Sequence, residues 1–284
     1  RHENGPEAHP MGISMKKTVI LLGILTLVVM AFLPCLDNGF TNWDDPDLIT
    51  ENPIIRHLTL DGIREIFTTP VFNTYSPLVF LSYAVEYHFV GLAPFLYHLN
   101  NLILHVLACG LVFWWAWLLS RRWAVAALTT LVFGLHPLRV ESVAWITERK
   151  DLLCSVFFLS ALVAYVYYRI RHRPVYYGLS FLGILLSFLA KPQAILFPFL
   201  LLLIDAIPFR KLDRVVLWEK VPFAVLSAIF FLMRMSQASA SGELASESVG
   251  QTGAHLLTAF YSLAFYLSKI VAPIGLACLY PRPS

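Results

Sequence analysis

The chain alternates long apolar runs with short polar breaks, and the breaks carry most of its charge. Residues 18–36 are apolar for nineteen positions, enough to cross a bilayer at about 1.5 Å per residue. Further apolar runs cover residues 95–120, 123–135, 152–168, 175–190, 194–209, 221–233 and 256–270. This pattern predicts an all-α polytopic membrane protein with about seven or eight transmembrane helices.

Residues 37–94 form the longest stretch that does not read as a plain span, and they predict a long first external loop. Within it Thr59 precedes an amphipathic pattern, with Leu60, Ile63, Ile66 and Phe67 on one face and Asp61, Arg64 and Glu65 on the other. That spacing suits a helix lying in the membrane interface. Residues 76–90 are more apolar but carry Glu86 and His88 and are short for a crossing. They read as a juxtamembrane helix, with a true span as the alternative. Residues 136–151 predict a second external loop, Lys191-Pro192-Gln193 the tip of a tight hairpin, and residues 236–253 a polar Ser/Gly/Glu-rich loop.

Composition agrees with the pattern. The chain has 284 residues, 58% hydrophobic and 14% charged, against about a quarter charged in soluble domains. The surplus apolar surface asks for lipid, and nothing resembles a nucleic-acid footprint. Cys35, Cys109, Cys154 and Cys278 stand singly in apolar contexts and read as small buried residues.

Charge placement then sets the orientation. Lys16-Lys17, Arg121-Arg122, the Arg169/Arg171/Arg173 cluster and Arg210, Lys211, Arg214 and Lys220 fall on one side if residues 76–90 do not cross. That side is cytoplasmic, with the N-terminus. The first loop holds eight of the eighteen acids against Arg56 and Arg64, as a non-cytoplasmic segment should. A cleavable signal peptide is the rival to a signal-anchor, but no small-x-small site follows the first run. Residues 1–14 read as a disordered or mis-set leader before Met15, and residues 15–284 as one membrane-embedded domain, expected to be a fragment of a longer protein. The compact loops favour a bacterial inner membrane.

Two stretches carry candidate chemistry. In Asn38-Gly39-Phe40-Thr41-Asn42-Trp43-Asp44-Asp45, two adjacent carboxylates follow a membrane exit, costly unless they face water or a substrate. They are a solvated turn at Asp45-Pro46 or a general base toward a hydroxyl. Paired carboxylates are also good oxygen ligands, so a divalent ion stays open, and the sequence points to no other cofactor. In the second loop His136, Arg139, Glu141, Glu148, Arg149, Lys150 and Asp151 crowd sixteen residues. Helical spacing puts Glu141, Trp145 and Glu148 on one face with Arg149 beside them. These groups either pair internally or hold a phosphate through an arginine fork and a lysine point charge. Lys191 is a further cation on that side, a snorkelling lysine or a lipid-phosphate contact. His98, Asn101 and His105 share one helix face. The two histidines are about 10 Å apart along it, too far to share one ion, which favours packing through hydrogen bonds.

Taken together, Phe40-x-Asn42-Trp43-Asp44-Asp45, Tyr75-Ser76-Pro77-Leu78, Tyr97-His98-x-x-Asn101-x-x-x-His105 and His136-Pro137-x-x-x-Glu141-Ser142-Val143-Ala144-Trp145-Ile146-x-x-Arg149-x-Asp151 resemble the membrane half of the transmembrane-and-tetratricopeptide-repeat proteins. These belong to the C-type polytopic glycosyltransferases, alongside protein O-mannosyltransferases. The resemblance implies transfer of a sugar, mannose first, from a polyprenyl-phosphate donor to a hydroxyl on a protein or glycan acceptor, with inversion. It implies Asp44 or Asp45 as catalytic base and Arg139, Arg149 and, more weakly, Lys191 near the donor phosphate. Glu141, Asp151, His98 and His105 would support them. It also implies a C-terminal helical-repeat domain that this sequence does not contain. A non-catalytic platform that binds or carries the lipid is the alternative from a different class, and a lipid-dependent transferase of another group is a third.

Overall fold

A computed structural model describes residues 15–71, 74–209, 212–240, 252–277 and 280; the side chains of Lys16 and residues 252–256 are not among those described. The expected leader 1–14, Cys278 and most of the polar loop, 241–251, lie outside the described residues. The described regular structure is helical apart from an isolated bridge between Val71 and Thr74.

Twelve α-helices follow one another among the described residues. They are α1 (Met15–Phe32), α2 (Leu60–Thr68), α3 (Pro77–Val90), α4 (Pro94–Ser120), α5 (Trp123–Leu135), α6 (Arg139–Ala144), α7 (Arg149–Arg171), α8 (Pro174–Ala190), α9 (Phe197–Ala206), α10 (Arg214–Trp218), α11 (Val221–Ala240) and α12 (Thr252–Val271). Among the described residues, four segments are long and apolar enough to cross a membrane: Lys17–Asp37, Pro94–Ser120, Ile146–Arg171 and Arg214–Ala240. Trp123–Leu135, Pro174–Ala190, Ala194–Ala206 and Leu257–Val271 are shorter apolar helices. Large apolar side chains lie bare along them, including Leu22, Met30, Leu128, Leu203 and Leu232. Such a surface is stable only against lipid, so the chain is an integral, polytopic membrane protein.

The interfacial expectations have local causes. Thr59 accepts a hydrogen bond from the Gly62 amide at 3.2 Å and starts α2. Ile66 is buried and Asp61, Arg64 and Glu65 are exposed as the periodicity requires, whereas Leu60 at the first turn points outward. Helix α3 has 14 residues, about 21 Å of rise, and falls short of the hydrocarbon thickness. Gly91, at φ 60°, ends it by turning left-handed.

Two expectations change. The seventh apolar run was expected to end at Met233, but α11 continues to Ala240 and takes Arg234 and Ser236 into the helix. The second loop is not one continuous helix: α6 stops at Ala144, Trp145 is extended (φ −94°, ψ 122°), and one 3-10 turn, Ile146–Glu148, leads into α7. Glu141 and Glu148 therefore do not share a helix face, and Glu141 is exposed while Glu148 is buried.

Helices α4, α7 and α8 form the centre of the bundle, with α1 and α5 against α4. α7 and α8 pack closely because Gly183 faces Ala161, where an added Cβ would sit only 3.0 Å from the Ala161 methyl; small residues let membrane helices approach. At one end of α7, Arg169 and Lys220 close on the fully buried Asp205 at 2.8 and 2.7 Å. Tyr165 donates to the same carboxylate, and Tyr168 and Arg169 hold Glu219. The opposite end of α7 begins at Arg149, about 30 Å away along the axis.

Candidate functional site

The backbone after α1 prepares the first acidic pair. A 3-10 turn, Leu33–Asp37, buries Cys35 and delivers the chain to Thr41. The Thr41 amide donates to Asp45 Oδ2 at 2.6 Å, folding the loop back over four residues. Pro46 then begins a single π-type turn, Pro46–Thr50, closed by the Glu51 amide on the Pro46 carbonyl at 2.8 Å. Asn52 caps the next turn by accepting from the Ile54 amide. The two aspartates separate as a result. Asp45 is fully buried, whereas Asp44 is half-buried and its carboxylate receives no hydrogen bond among the described residues.

The second loop reaches the first through Trp145. Its indole N–H donates to Asp45 Oδ1 at 3.0 Å, and its ring meets Trp43 edge-on at 5.9 Å. The extended backbone at Trp145 that breaks the helix is what turns the ring toward Asp45. The carbonyls exposed by the break are taken up in turn: Asn101 donates to Trp145 O at 3.2 Å and the Tyr83 hydroxyl to Ile146 O at 2.9 Å.

Arg149 is the most enclosed of the candidate cations, 1% exposed. Its guanidinium donates to Asn101 Oδ1 and the Tyr97 carbonyl, both at 2.8 Å, and to Glu86 Oε2 at 2.5 Å. It also lies 4.7 Å from the Tyr83 ring centre. Asn100 donates to the other oxygen of Glu86. Burial pushes the Glu86 carboxyl above its usual range, and Arg149 and Asn100 pull it back. Burial likewise raises the Tyr83 phenol, against the nearby Arg149 charge.

The other expected residues take partners other than Arg149. Lys191 pairs with Asp151, and Lys150 with Glu148 at 2.9 Å. Ser142 reaches Asp151 at 3.5 Å. Arg139 sits 5.2 Å from the Phe133 ring centre, on the side of α5. His105 is buried and donates from Nε2 to the Gly134 carbonyl at 3.0 Å, as a packing role requires. His98 is also buried, beside the Asn38–Gly39 backbone, but neither ring nitrogen is in hydrogen-bonding geometry. Among the described residues, no group of three or more His, Cys, Asp or Glu is close enough to hold a metal ion.

A cavity of about 380 Å³ opens beside these groups, within the range of small-ligand sites. Ser76 and Tyr83 line it from the α3 side, Thr147 and Lys150 from the loop break, Lys191 from the hairpin and Arg234 from α11. Sequence reasoning gave no role to Ser76, Thr147 or Arg234. Arg234 carried a readable signal, a lone cation at the end of an apolar run, but the two hydroxyls carried none. Glu86 stands out in the sequence as a charge in an apolar segment, yet its partner Arg149 lies 63 residues away.

The fold and these groups define a class: a helical membrane protein that gathers acids, cations and a cavity at one end of its bundle. Comparison with known proteins narrows it. The chain is 28% identical over 163 residues to the human "Protein O-mannosyl-transferase TMTC3", covering 54% of this chain and 17% of that protein. It is 28% identical over 193 residues to "Protein O-mannosyl-transferase F38B6.6" of Caenorhabditis elegans, 62% of this chain and 26% of the relative. To "Protein O-mannosyl-transferase Tmtc1" of Drosophila melanogaster it is 32% identical over 161 residues, 54% and 19%. The chain is thus a distant homologue of the TMTC protein O-mannosyltransferases, at about 30% identity over about half its length, and the match spans at most about a quarter of each of these three relatives. No family model matches the chain, and no solved structure does.

Proposed function

We propose that this chain, over residues 15–284, is the membrane domain of a glycosyltransferase. It takes a sugar, mannose first, from a polyprenyl-phosphate carrier and places it on a hydroxyl of a protein or glycan acceptor. The observation that carries this reading is the unequal pair: Asp45 has both oxygens engaged, by Thr41 and Trp145, while Asp44 beside it is half-buried and its carboxylate receives no hydrogen bond among the described residues. A carboxylate that must accept a proton has to be reachable by the acceptor hydroxyl. Asp44 is therefore the base and Asp45 its positioning neighbour. Asp44 deprotonates the acceptor hydroxyl as its oxygen attacks the anomeric carbon; the carbon–oxygen bond to the lipid phosphate breaks and the phosphate leaves as the anion. One direct displacement inverts the anomeric centre.

Of the three cations expected near the donor phosphate, Lys191 lines the cavity, and it is our choice for that contact. Arg149 is committed to Glu86, Asn101 and Tyr97, so it acts by fixing the second loop against α3 and α4. Arg139 supports the α5 side. In this reading the longer helices and the shorter apolar ones make the seven or eight crossings. The Trp145 end faces away from the cytoplasm, the N-terminus lies inside, and a helical-repeat domain elsewhere in the full protein presents the acceptor.

One observation favours a second reading, a platform that holds the carrier lipid without cleaving it: neither Asp44 nor Asp45 is among the residues lining the cavity. The two readings part on a single experiment. Labelled sugar transfer from polyprenyl-phosphate-mannose to a hydroxyl acceptor is lost in Asp44→Asn under the transferase reading. Turnover equal to wild type in that variant removes Asp44 as base; no turnover in wild type with any of several sugars leaves the platform.

A further inference from the structure

Arginines at the far end of α7 are of two kinds. Arg169 is buried and paired with Asp205 and Glu219. Arg121, Arg171 and Arg173 are exposed, and none of these three side chains makes an ion pair or a hydrogen bond among the described residues. Lys220 takes the same two carboxylates as Arg169, so the buried acids at this end are already answered.

Helix packing brings the three together. α4 and α7 run in the same direction: Arg149 at the start of α7 bonds to Asn101 and Tyr97 near the start of α4, and further along the Trp114 indole N–H donates to the Tyr167 hydroxyl at 3.1 Å. Tyr167 stacks in turn on Tyr176 of α8, with ring centres 5.5 Å apart. Trp114, Tyr167 and Tyr176 thus form one aromatic strip across three helices. Arg171 lies four residues past Tyr167, on the same face of α7. Arg121 closes α4 two turns past Trp114, and Arg173 precedes Tyr176 by one turn at the start of α8. Each arginine therefore stands about 5–10 Å beyond one member of the strip along its helix. Arg121 does so in the left-handed region, at φ 54°, where helices usually end on glycine. The turn itself does not call for a cation there.

The surroundings indicate the ligand. Trp114, Val125, Val175 and Leu179 are bare on the same stretch of α4, α5 and α8, a surface that suits acyl chains. Trp and Tyr side chains favour the depth where chains meet headgroups, and a guanidinium holds a phosphate through two parallel N–H donors. Unpaired arginines just beyond an aromatic strip and bare apolar side chains therefore match a molecule with a phosphate at one end and chains at the other.

We infer that the ends of α4, α7 and α8 form a binding site for an anionic phospholipid, with Arg121, Arg171 and Arg173 on its phosphate and Trp114, Tyr167 and Tyr176 beside its glycerol and upper chain carbons. The site lies at the opposite end of α7 from Asp45 and Trp145. The proposed orientation enters only in naming its leaflet, the cytoplasmic one. A general attraction of positive charge to an anionic leaflet would be served equally by lysine, whereas this site uses the arginine fork.

The test uses the full protein carrying this chain in phosphatidylcholine nanodiscs. Retention of added phosphatidic acid is measured by native mass spectrometry beside diacylglycerol, which lacks the phosphate, and glycerol 3-phosphate, which lacks the chains. The site predicts that phosphatidic acid is held about tenfold or more tighter than diacylglycerol, the scale of one hydrogen bond to a charged group, and that glycerol 3-phosphate at equal concentration does not displace it. Arg171→Gln weakens the lipid by about the same factor. The triple variant Arg121→Lys, Arg171→Lys, Arg173→Lys keeps every charge, and with it the topology signal, yet weakens the lipid several-fold because an ammonium lacks the fork. These side chains have no partners to lose, so the variants should fold. Arg64→Gln, at an exposed arginine of α2, leaves retention unchanged. Wild-type retention in the triple lysine variant reduces the cluster to general surface charge and overturns the site. An equal loss in Arg64→Gln, or displacement by glycerol 3-phosphate, overturns it as well. Sugar transfer is not read in this experiment, so the site and the transferase reading fail separately.

Discussion

The two ends of α7 hold similar chemical groups in opposite states. At the Arg169 end two cations and two carboxylates pair: Asp205 lies within 2.8 Å of Arg169 and Lys220, Glu219 lies 2.9 Å from Arg169, and three tyrosine hydroxyls contact these groups or their backbone, while Arg169 Nη2 alone of the guanidinium nitrogens finds no hydrogen-bond partner among the described residues. Neither cavity described in the structure reaches this cluster. At the Arg149 end the pairing is also dense, but it stops short: among the described residues the Asp44 carboxylate and the Thr147 and Ser76 hydroxyls receive or make no hydrogen bond, and a cavity lies beside the two hydroxyls. Buried charge by itself therefore does not mark a site in this molecule. The paired network holds helices together, and in the proposed reading the end that opens onto a cavity is where the ligand binds.

The comparison breaks most visibly at Asp44. Asp44→Asn should lower sugar transfer by about 10²–10⁴-fold, the usual contribution of a positioned base, with the protein still folded. The matching change at the closed end, Asp205→Asn, should do the reverse. Removing one partner of a buried pair costs about 3–5 kcal/mol of stability, read as a lower denaturant midpoint, while transfer per folded molecule stays near wild type.

Arg149 sharpens the contrast because it belongs to the open end yet is matched. Arg149→Met should cost stability on the same scale, about 3–5 kcal/mol. The double variant with Glu86→Gln should be less damaging than the two single changes added together, because the carboxylate is no longer stranded. Additive losses would mean the pair is not coupled. A smaller effect is expected at Trp145→Phe, which keeps an aromatic ring against Trp43 and removes only the donor to Asp45. A hydrogen bond to a charged group contributes about 1.5–3 kcal/mol. Transfer should fall roughly ten- to a hundredfold through kcat, and a change confined to protein yield would contradict the positioning role. The smallest is Tyr168→Phe, whose hydroxyl donates to Glu219 at the closed end: about 1 kcal/mol of stability and no change in transfer.

Much of the architecture can be read from hydropathy, because the demand for lipid-facing apolar surface is local and continuous. The amphipathic α2, the short α3 and the apolar segments follow from period and length. The break at Trp145 does not, since Val140 to Arg149 contains neither glycine nor proline. The chain leaves the helix there because Trp145 finds Asp45, a hundred residues earlier, and Asn101 takes up its carbonyl. The same limit hides the Arg149–Glu86 pair and divides the three expected phosphate cations among three surroundings. Periodicity orders a face along one helix but carries no information about which other helix meets it. Thr147 and Ser76 were invisible for another reason: an unpartnered hydroxyl is defined by what is absent around it.

The account turns on the unequal aspartates, and the most direct measurement compares Asp44→Asn with Asp45→Asn in the full protein. It records transfer of labelled mannose from polyprenyl-phosphate-mannose beside binding of polyprenyl monophosphate. The account predicts that Asp44→Asn binds the lipid as wild type does and transfers no sugar above about a hundredth of the wild-type rate, while Asp45→Asn, which keeps one oxygen for Thr41 or Trp145, retains part of the activity. Full transfer by Asp44→Asn, or loss confined to Asp45→Asn, would contradict it.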